Sequence, residues 1–307
     1  MKERIVCHIG LHKTATGTLQ RQFFPACREL QLFTTLQPHT RDFIHRITRC
    51  DPAYFNADEA GALLKPYLSV DSVNLISNES LSGPPYAGVI EHGLDHRTPV
   101  LQNLQSVYPD ARVVIVLRRQ DGLARSLYRQ YLKRGGTARI DKFYGVGSDR
   151  RPALMPLDRF KYSNYIDTLK SMFPSGVQVM LFEEFVADKT HFLERLCDFI
   201  GVPMPAVDLT SENASRLGPV AMEVSRWMNF VFRSMLNRGP LPQIPRKQFG
   251  RWTFVSPIEY LHDYWPGNGK AGKRVNEVCA TILDSVRTDN RTVDERNALG
   301  MSGHGYY

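Results

Sequence analysis

A loop near the start of the chain carries side chains that could bind an anion. In the stretch IVCHIGLHKTATGTLQRQFF (residues 5–24), an apolar run gives way to polar residues before a helical pattern resumes at Thr16. This order is a strand that ends in glycine, then hydroxyl residues, then the start of a helix. It directs several backbone N–H groups at one point, which favours the binding of an anion there. Lys13 adds a positive charge, and Thr14, Thr16 and Thr18 add hydroxyl donors. The alternative is an ordinary capped helix with a solvated lysine.

The spacing of this loop differs from that of the ATP-binding loop. The Walker pattern GxxxxGK[ST] places the lysine directly after its second glycine. Here two residues separate Gly10 from Lys13, and Gly17 follows the lysine. The sequence therefore predicts a phosphate-binding loop of a type other than the ATP loop.

A second cationic segment is VVIVLRRQDGLARSLYRQYLKRGG (residues 113–136), a predicted strand that leads into a predicted helix. Arg118 ends the strand, and Ser126 follows eight residues later. Ligands of doubly wound sheets bind at the carboxyl ends of the strands, so Arg118 is expected to face the same crevice as the opening loop. Taken alone, Arg118 could pair with a carboxylate, and Ser126 could be an ordinary helix-surface hydroxyl.

Together the two segments resemble the cofactor-binding motifs of the sulfotransferases, and more specifically of the bacterial, carbohydrate-type branch. GLHKTATGTLQ resembles the loop that holds the 5'-phosphosulfate of 3'-phosphoadenosine 5'-phosphosulfate (PAPS), and Arg118 with Ser126 matches the spacing of the 3'-phosphate site. The resemblance implies that the phosphosulfate is bound by His12, Lys13, Thr14, Ala15, Thr16, Gly17 and Thr18. It also implies that Arg118 and Ser126 bind the 3'-phosphate.

Ala15 departs from the family pattern, because the family usually has glycine at this position. Left-handed backbone geometry is strained for alanine but not for glycine. The sequence therefore predicts that Ala15 avoids a positive φ.

Sulfuryl transfer resembles phosphoryl transfer, with in-line displacement and a loose transition state that positive charge stabilises. Lys13 is expected to serve this role near the bridging oxygen. Because a sulfuryl group carries less charge than a phosphoryl group, no metal is expected. His8 and His12 are four residues apart, but they lie on a strand and a loop, which argues against a zinc pair.

A hydroxyl or amine acceptor needs a base, and the preferred candidate is Glu79 in LISNESLSG. Glu79 directly follows a predicted strand, so it is expected to face the crevice that contains Lys13. A glutamate serves as base in carbohydrate-modifying sulfotransferases, so the resemblance implies a carbohydrate or glycolipid acceptor. The alternative role for Glu79 is a helix-start carboxylate. Asp42 and His45 are the reserve candidates for the base.

Strands and helices alternate through the first two thirds of the chain. The predicted strands are RIVCHIG (4–10), SVNLIS (72–77), ARVVIVLR (111–118) and VQVMLFE (177–183), and the predicted helices span 16–30, 57–64, 100–108, 121–134, 159–172 and 188–200. Near-continuous apolar strands are typical of a parallel sheet covered on both faces. The fold class is thus α/β with a doubly wound parallel sheet, of the P-loop-like sulfotransferase type by resemblance.

The domain prediction is one sulfotransferase domain over residues 1–307. Its nucleotide-binding α/β core spans about 1–205. After Pro203 the pattern indicates helix and loop, and this helical segment at about 206–307 is expected to face the acceptor.

Composition narrows the classes of function. The chain of 307 residues carries a net charge of +8, but no block of five or more like charges indicates a nucleic-acid stripe. Five scattered cysteines without a CxxC pair favour reduced thiols, and no run is long enough for a membrane helix, so a cytoplasmic protein is expected. The competing hypotheses are a P-loop nucleotide kinase or NTPase and a non-catalytic nucleic-acid-binding module.

Overall fold

The computed structural model describes residues 3–83, 97–147, 153–210, 218–232, 236, 242, 244–248, 251–255 and 270–307. The chain divides into two compact units. The first unit contains Met1–Arg119, Arg159–Ser211 and Val286–Tyr307, and the second contains Gln120–Asp158 and Glu212–Ser285.

The first unit is built on a five-stranded parallel sheet. Its strands are β1 (Arg4–His8), β2 (Leu30–Phe33), β3 (Val73–Ser77), β4 (Arg112–Leu117) and β5 (Val177–Leu181), in the order β2-β3-β1-β4-β5. The four strands predicted from the sequence are confirmed, and so is the α/β fold class. The central position of β1 places its carboxyl end between the ends of β3 and β4.

Continuous apolar segments form the inner strands because both faces of this sheet are covered. Every residue of β3 is buried, and β4 is buried from Val113 onward. The spacing of Leu193, Leu196 and Phe199 predicts one buried helix face; the two leucines belong to the core of the first unit, and Phe199 packs against it half-buried.

Helices and helical turns occupy most of the other described residues of both units. In chain order they are α1 (Thr16–Thr18), α2 (Pro38–Arg49), α3 (Ala57–Ala62), α4 (Arg97–Val107), α5 (Gln120–Lys133), α6 (Ile140–Tyr144), α7 (Ser163–Met172), α8 (Phe182–Ala187), α9 (Lys189–Ile200), α10 (Pro219–Val231), α11 (Lys270–Ser285) and α12 (Arg287–Asn297). Short 3-10 turns span Phe24–Ala26, Pro52–Tyr54, Lys65–Tyr67, Glu79–Ser82, Leu157–Phe160 and Met301–His304. Five of the predicted helices are present, with ends that differ by up to four residues.

The helix predicted over 16–30 is shorter and irregular in the structure. It begins as α1, continues as a π-helical turn over Leu19–Phe23 and ends in the 3-10 turn Phe24–Ala26. Pro25 lacks a backbone N–H, which disfavours a regular helix beyond this point. The chain then enters β2, a strand outside the predicted elements.

The second unit contains α5, α6, α10 and α11 with a two-stranded antiparallel hairpin, β6 (Ile244–Gln248) and β7 (Arg251–Val255). The hairpin lies outside the predicted helix-and-loop pattern. Helix α10 is tied to the end of α5 because the Asn229 amide donates hydrogen bonds to the carbonyls of Leu132 and Gly136 at 2.9 and 2.8 Å. No helix among the described residues is long and apolar enough to cross a lipid bilayer.

Candidate active site

The loop after β1 is held at the carboxyl end of the sheet by backbone hydrogen bonds. The Ile9 N–H donates to the Val114 carbonyl at 2.9 Å, and the Leu11 N–H donates to the Val116 carbonyl at 3.3 Å. On the other side, the Asn78 N–H donates to the His8 carbonyl at 3.1 Å. The loop is therefore fixed against both neighbouring strands.

The loop turns into α1 through two residues with left-handed backbone geometry. Lys13 has φ 71° and Ala15 has φ 60°. The prediction that Ala15 avoids a positive φ is therefore wrong. Ala15 precedes α1, and its carbonyl accepts a hydrogen bond from the Leu19 N–H at 3.0 Å, so helix initiation fixes its conformation. Left-handed residues within such a turn help to form an anion-binding concavity of backbone N–H groups.

Ala15→Gly is expected to raise the free energy of unfolding by about 0.5 to 1 kcal/mol, because glycine adopts a positive φ without steric strain. Urea denaturation of parent and variant measures the change. The control is Ala62→Gly in the right-handed helix α3, which should lower stability by up to about 1 kcal/mol. Equal destabilisation by both substitutions would contradict the left-handed geometry at Ala15.

Hydroxyl side chains line the loop. The Thr14 hydroxyl donates to the Leu11 carbonyl, which braces the loop internally. Thr16 is buried, and its Oγ1 has no hydrogen-bond partner in the structure. Gly17 and Thr18 follow on α1 and are half-buried. An unpartnered buried hydroxyl beside a turn of N–H groups and a lysine fits a tetrahedral anion, such as a phosphate or a sulfate ester.

A polar network lies beneath the loop. His8 is fully buried at the end of β1, and its Nδ1 lies 2.8 Å from Ser77 Oγ at the end of β3. The Gln20 amide donates to the Ser77 carbonyl at 2.7 Å and to Ser77 Oγ at 3.1 Å. From the sequence, His8 was considered only as a metal ligand, and its partners Gln20 and Ser77 were not predicted. A histidine within an otherwise apolar strand was the signal that could have indicated this network.

Burial lowers the pKa of His8 from its usual 6.5 to about 4. Because the unfolded chain then binds a proton that the folded chain does not, stability rises with pH and is lost as pH falls below about 6.5. Between about pH 7.5 and about pH 5, this group should lower the free energy of unfolding by about 2 kcal/mol. Denaturant unfolding at both pH values measures the loss. His8→Gln should show a pH dependence smaller by this amount, and an unchanged dependence would contradict the prediction.

Glu79 lies beside the loop. Its carboxylate Oε1 is 3.8 Å from the Nε2 of His12, whose side chain is buried. Glu79 also opens the short turn Glu79–Ser82, where Asn78 Oδ1 accepts from the Ser80 N–H at 2.8 Å. The structure thus brings Glu79 to the loop and also gives it the helix-start position of the alternative interpretation.

The two reserve candidates for the base lie on α2. Asp42 and His45 are exposed residues of α2, whereas Phe43, Ile44 and Ile47 form the buried face of that helix. The choice of Glu79 over Asp42 and His45 as the base stays a prediction.

Arg118 reaches the same loop from the end of β4. Its Nη1 donates to the Lys13 carbonyl at 2.6 Å, across 105 residues of sequence. The guanidinium carbon lies 4.5 Å from the centroid of the Phe182 ring, and the Tyr162 hydroxyl donates to the Arg118 carbonyl at 2.6 Å. These contacts position a half-buried arginine against the cationic loop.

The neighbouring Arg119 has different partners. Its N–H donates to Glu183 Oε1 at 3.0 Å, and its Nη1 donates to the His304 carbonyl at 3.2 Å. Ser126 is a half-buried residue of α5 and belongs to the second compact unit. The pairing of Ser126 with Arg118 stays a prediction.

Across the described residues, no group of three or more histidine, cysteine, aspartate or glutamate side chains is placed to hold a metal ion.

Comparison with known proteins gives a family and a group of structural neighbours. A family model described as "Sulfotransferase family" matches residues 12–206, nearly two thirds of the chain. A sulfotransferase from Alicyclobacillus acidocaldarius is similar with 17% identity and a TM-score of 0.48, over 75% of this chain and 94% of that one. The sulfotransferase domain from the curacin biosynthetic pathway is similar with 12% identity and a TM-score of 0.40, over 90% and 98%. No curated protein sequence matches.

Proposed function

This chain belongs to the sulfotransferase family, and we propose that it transfers the sulfuryl group of PAPS to a hydroxyl group of its acceptor. The observation that carries the proposal is the hydrogen bond from Arg118 to the Lys13 carbonyl, which joins the two cationic segments at one place. An anion with two separate charged groups, such as PAPS, suits a site with two such segments.

The proposed binding mode assigns each segment to one end of PAPS. His12, Lys13, Thr14, Ala15, Thr16, Gly17 and Thr18 would hold the 5'-phosphosulfate, and Arg118 with Ser126 would hold the 3'-phosphate. The left-handed residues, the hydroxyl groups and the lysine of the loop support the first assignment. The position of Arg118 against the loop supports the second.

Lys13 and Glu79 have separate roles in the proposed transfer. As the acceptor oxygen bonds to sulfur, the bond from sulfur to the bridging oxygen breaks and leaves negative charge on that oxygen. Lys13 stabilises this charge, and the Glu79 carboxylate accepts the proton that the acceptor hydroxyl loses. The carboxylate base supports a carbohydrate or glycolipid head group as acceptor.

Thermal unfolding with three ligands tests this function. Of the three ligands, we expect only 3',5'-adenosine bisphosphate to raise the melting temperature, because a ligand that binds the folded state stabilises it. Stabilisation only by ATP with magnesium would favour the kinase or NTPase. Stabilisation only by a DNA oligomer, declining with added salt, would favour the nucleic-acid module. Transfer of labelled sulfate from PAPS to sugars, glycolipids, phenols and steroids then tests the acceptor class.

Arg118→Ala is expected to weaken binding of 3',5'-adenosine bisphosphate by about 2 to 4 kcal/mol, because a desolvated phosphate loses its charged partner. Isothermal titration calorimetry measures the affinity. Arg112→Ala is a matched control, since Arg112 also belongs to β4 and stacks on a phenylalanine ring, that of Phe199 at 4.1 Å. Parent-like affinity in Arg118→Ala would show that the second segment is misassigned.

A further inference from the structure

The hydrogen bonds beneath the loop favour one tautomer of the neutral His8 ring. The Ser77 carbonyl can only accept, so the Gln20 atom facing it is the amide nitrogen, which also donates to Ser77 Oγ. With that oxygen accepting from Gln20, the Ser77 hydroxyl hydrogen is available to His8 Nδ1, 2.8 Å away. In a neutral imidazole whose Nδ1 accepts, the proton is on Nε2.

His8 Nε2 and Thr16 Oγ1 face the same point. Both atoms are buried, and neither has a hydrogen-bond partner. A Cβ atom built on Gly10 would stand 3.0 Å from each of them and 3.1 Å from Thr14 Oγ1. The bare backbone of Gly10 therefore leaves open a space that both atoms border. Buried polar groups are nearly always hydrogen-bonded, so these two atoms need a partner.

His8 is suited to donate a hydrogen bond and unsuited to other roles. Its pKa is lowered to about 4 by burial, so the ring is neutral at neutral pH. A ring that carries its proton on Nε2 presents a donor, and no free electron pair, on the side of the loop. The ring also packs edge-on against Phe24 with centroids 5.6 Å apart, which fixes its orientation.

We propose that His8 is a positioning residue for Thr16: with an anion bound in the loop, His8 Nε2–H donates to Thr16 Oγ1. The Thr16 hydroxyl hydrogen is then directed at the anion. The chain of donors runs from Gln20 through Ser77 and His8 to Thr16, and each hydroxyl accepts from one side and donates to the other. The ligand class is a tetrahedral oxyanion, and its identity as the phosphosulfate of PAPS rests on the proposed function.

Histidine NMR on the unmodified protein tests the proposal directly. With ¹⁵N-labelled histidine, we expect His8 to show the neutral tautomer with the proton on Nε2, and its signal is assigned by its absence from His8→Gln. Saturation with 3',5'-adenosine bisphosphate, inorganic sulfate or pyrophosphate should shift the Nε2 proton downfield, as expected for a new hydrogen bond. The other tautomer, or an unchanged signal at saturation, would overturn the proposal.

A double-mutant cycle tests the coupling between the two residues. His8→Asn keeps an amide near the Ser77 partner and removes the donor at the Nε2 position, and Thr16→Val removes the hydroxyl. Each is expected to weaken binding of the bisphosphate about 5- to 10-fold, and the double variant should be no weaker than Thr16→Val alone. His8→Gln, which retains a donor near the Nε2 position, should bind within about 2-fold of the parent. His191→Asn on α9 is the exposed control and should leave affinity unchanged.

The outcomes separate this proposal from the proposed function. If the double variant loses affinity by the product of the two single losses, His8 and Thr16 act independently. That result would overturn the positioning role even if the bisphosphate binds. Binding of sulfate or pyrophosphate with the His8 response, but no binding of the bisphosphate, would support the positioning role and overturn the PAPS assignment. Binding of none of the three probes would overturn both.

Discussion

Glu79→Gln is expected to lower turnover about 10²- to 10⁴-fold, with the affinity for 3',5'-adenosine bisphosphate near that of the parent. The glutamine keeps the shape of the side chain but does not accept the acceptor proton. Binding of the adenosine bisphosphate does not depend on this proton, so turnover should fall while the affinity for the bisphosphate stays unchanged. Steady-state kinetics with PAPS and calorimetry with the bisphosphate measure them.

The structure supplies a matched control and a second candidate for this test. Glu59→Gln removes a carboxylate from an exposed ion pair with Arg46 on the surface of the same unit and should leave turnover unchanged. Full turnover in Glu79→Gln would reduce Glu79 to the first residue of the turn capped by Asn78. His12, 3.8 Å from Glu79, would then be the next residue to replace, before Asp42 and His45.

Lys13→Ala is expected to lower turnover about 10²- to 10³-fold and also to weaken PAPS binding. The lysine meets the anion before the reaction as well as during it, so both constants change. The contact between Arg118 and this position is to the backbone carbonyl, which alanine retains. The substitution therefore tests the ammonium group without removing the bond that joins the two segments.

Lys65→Ala is the control for loss of one exposed lysine from the first unit, and it should match the parent in both constants. Lys13→Arg keeps the charge and changes its geometry, so it should recover PAPS binding more than turnover. If Lys13→Ala keeps full turnover, the loop holds the anion without taking part in transfer. A loss of turnover with unchanged PAPS binding would instead indicate an interaction made only in the transition state.

The sheet was predictable because its signals are local. Four apolar β-branched runs give β1, β3, β4 and β5, since a strand buried on both faces needs apolar side chains at every position. β2 carries no such signal, because its four residues are mostly half-buried or exposed. β2 forms because it pairs with β3, and this pairing joins residues about forty positions apart in the sequence. The hairpin β6-β7 was not predicted, although RWTFV in β7 is rich in β-forming residues and follows a glycine in the sequence.

The candidate site, like the sheet, has features that the sequence predicted and features that it did not. Residue types, spacing and the resemblance to sulfotransferases together singled out the cationic loop around Lys13, the arginine at the end of β4 and the glutamate after β3. Each of them follows a strand whose carboxyl end must lie at the same edge of a parallel sheet. The backbone conformation of the loop was harder to predict from the sequence. The left-handed geometry of Ala15 opposes the intrinsic preference of alanine, and the surrounding turn into α1 imposes it.

Only the tertiary structure decided which atoms meet at that edge. Arg118 contacts the Lys13 carbonyl, Glu79 approaches His12, and His8 is buried against Ser77 with its Nε2 beside Gly10. A sequence pattern specifies the order of residues along the chain. Hydrogen-bond partners are instead selected by the register of neighbouring strands, and the register that pairs His8 with Ser77 comes from packing of the whole sheet.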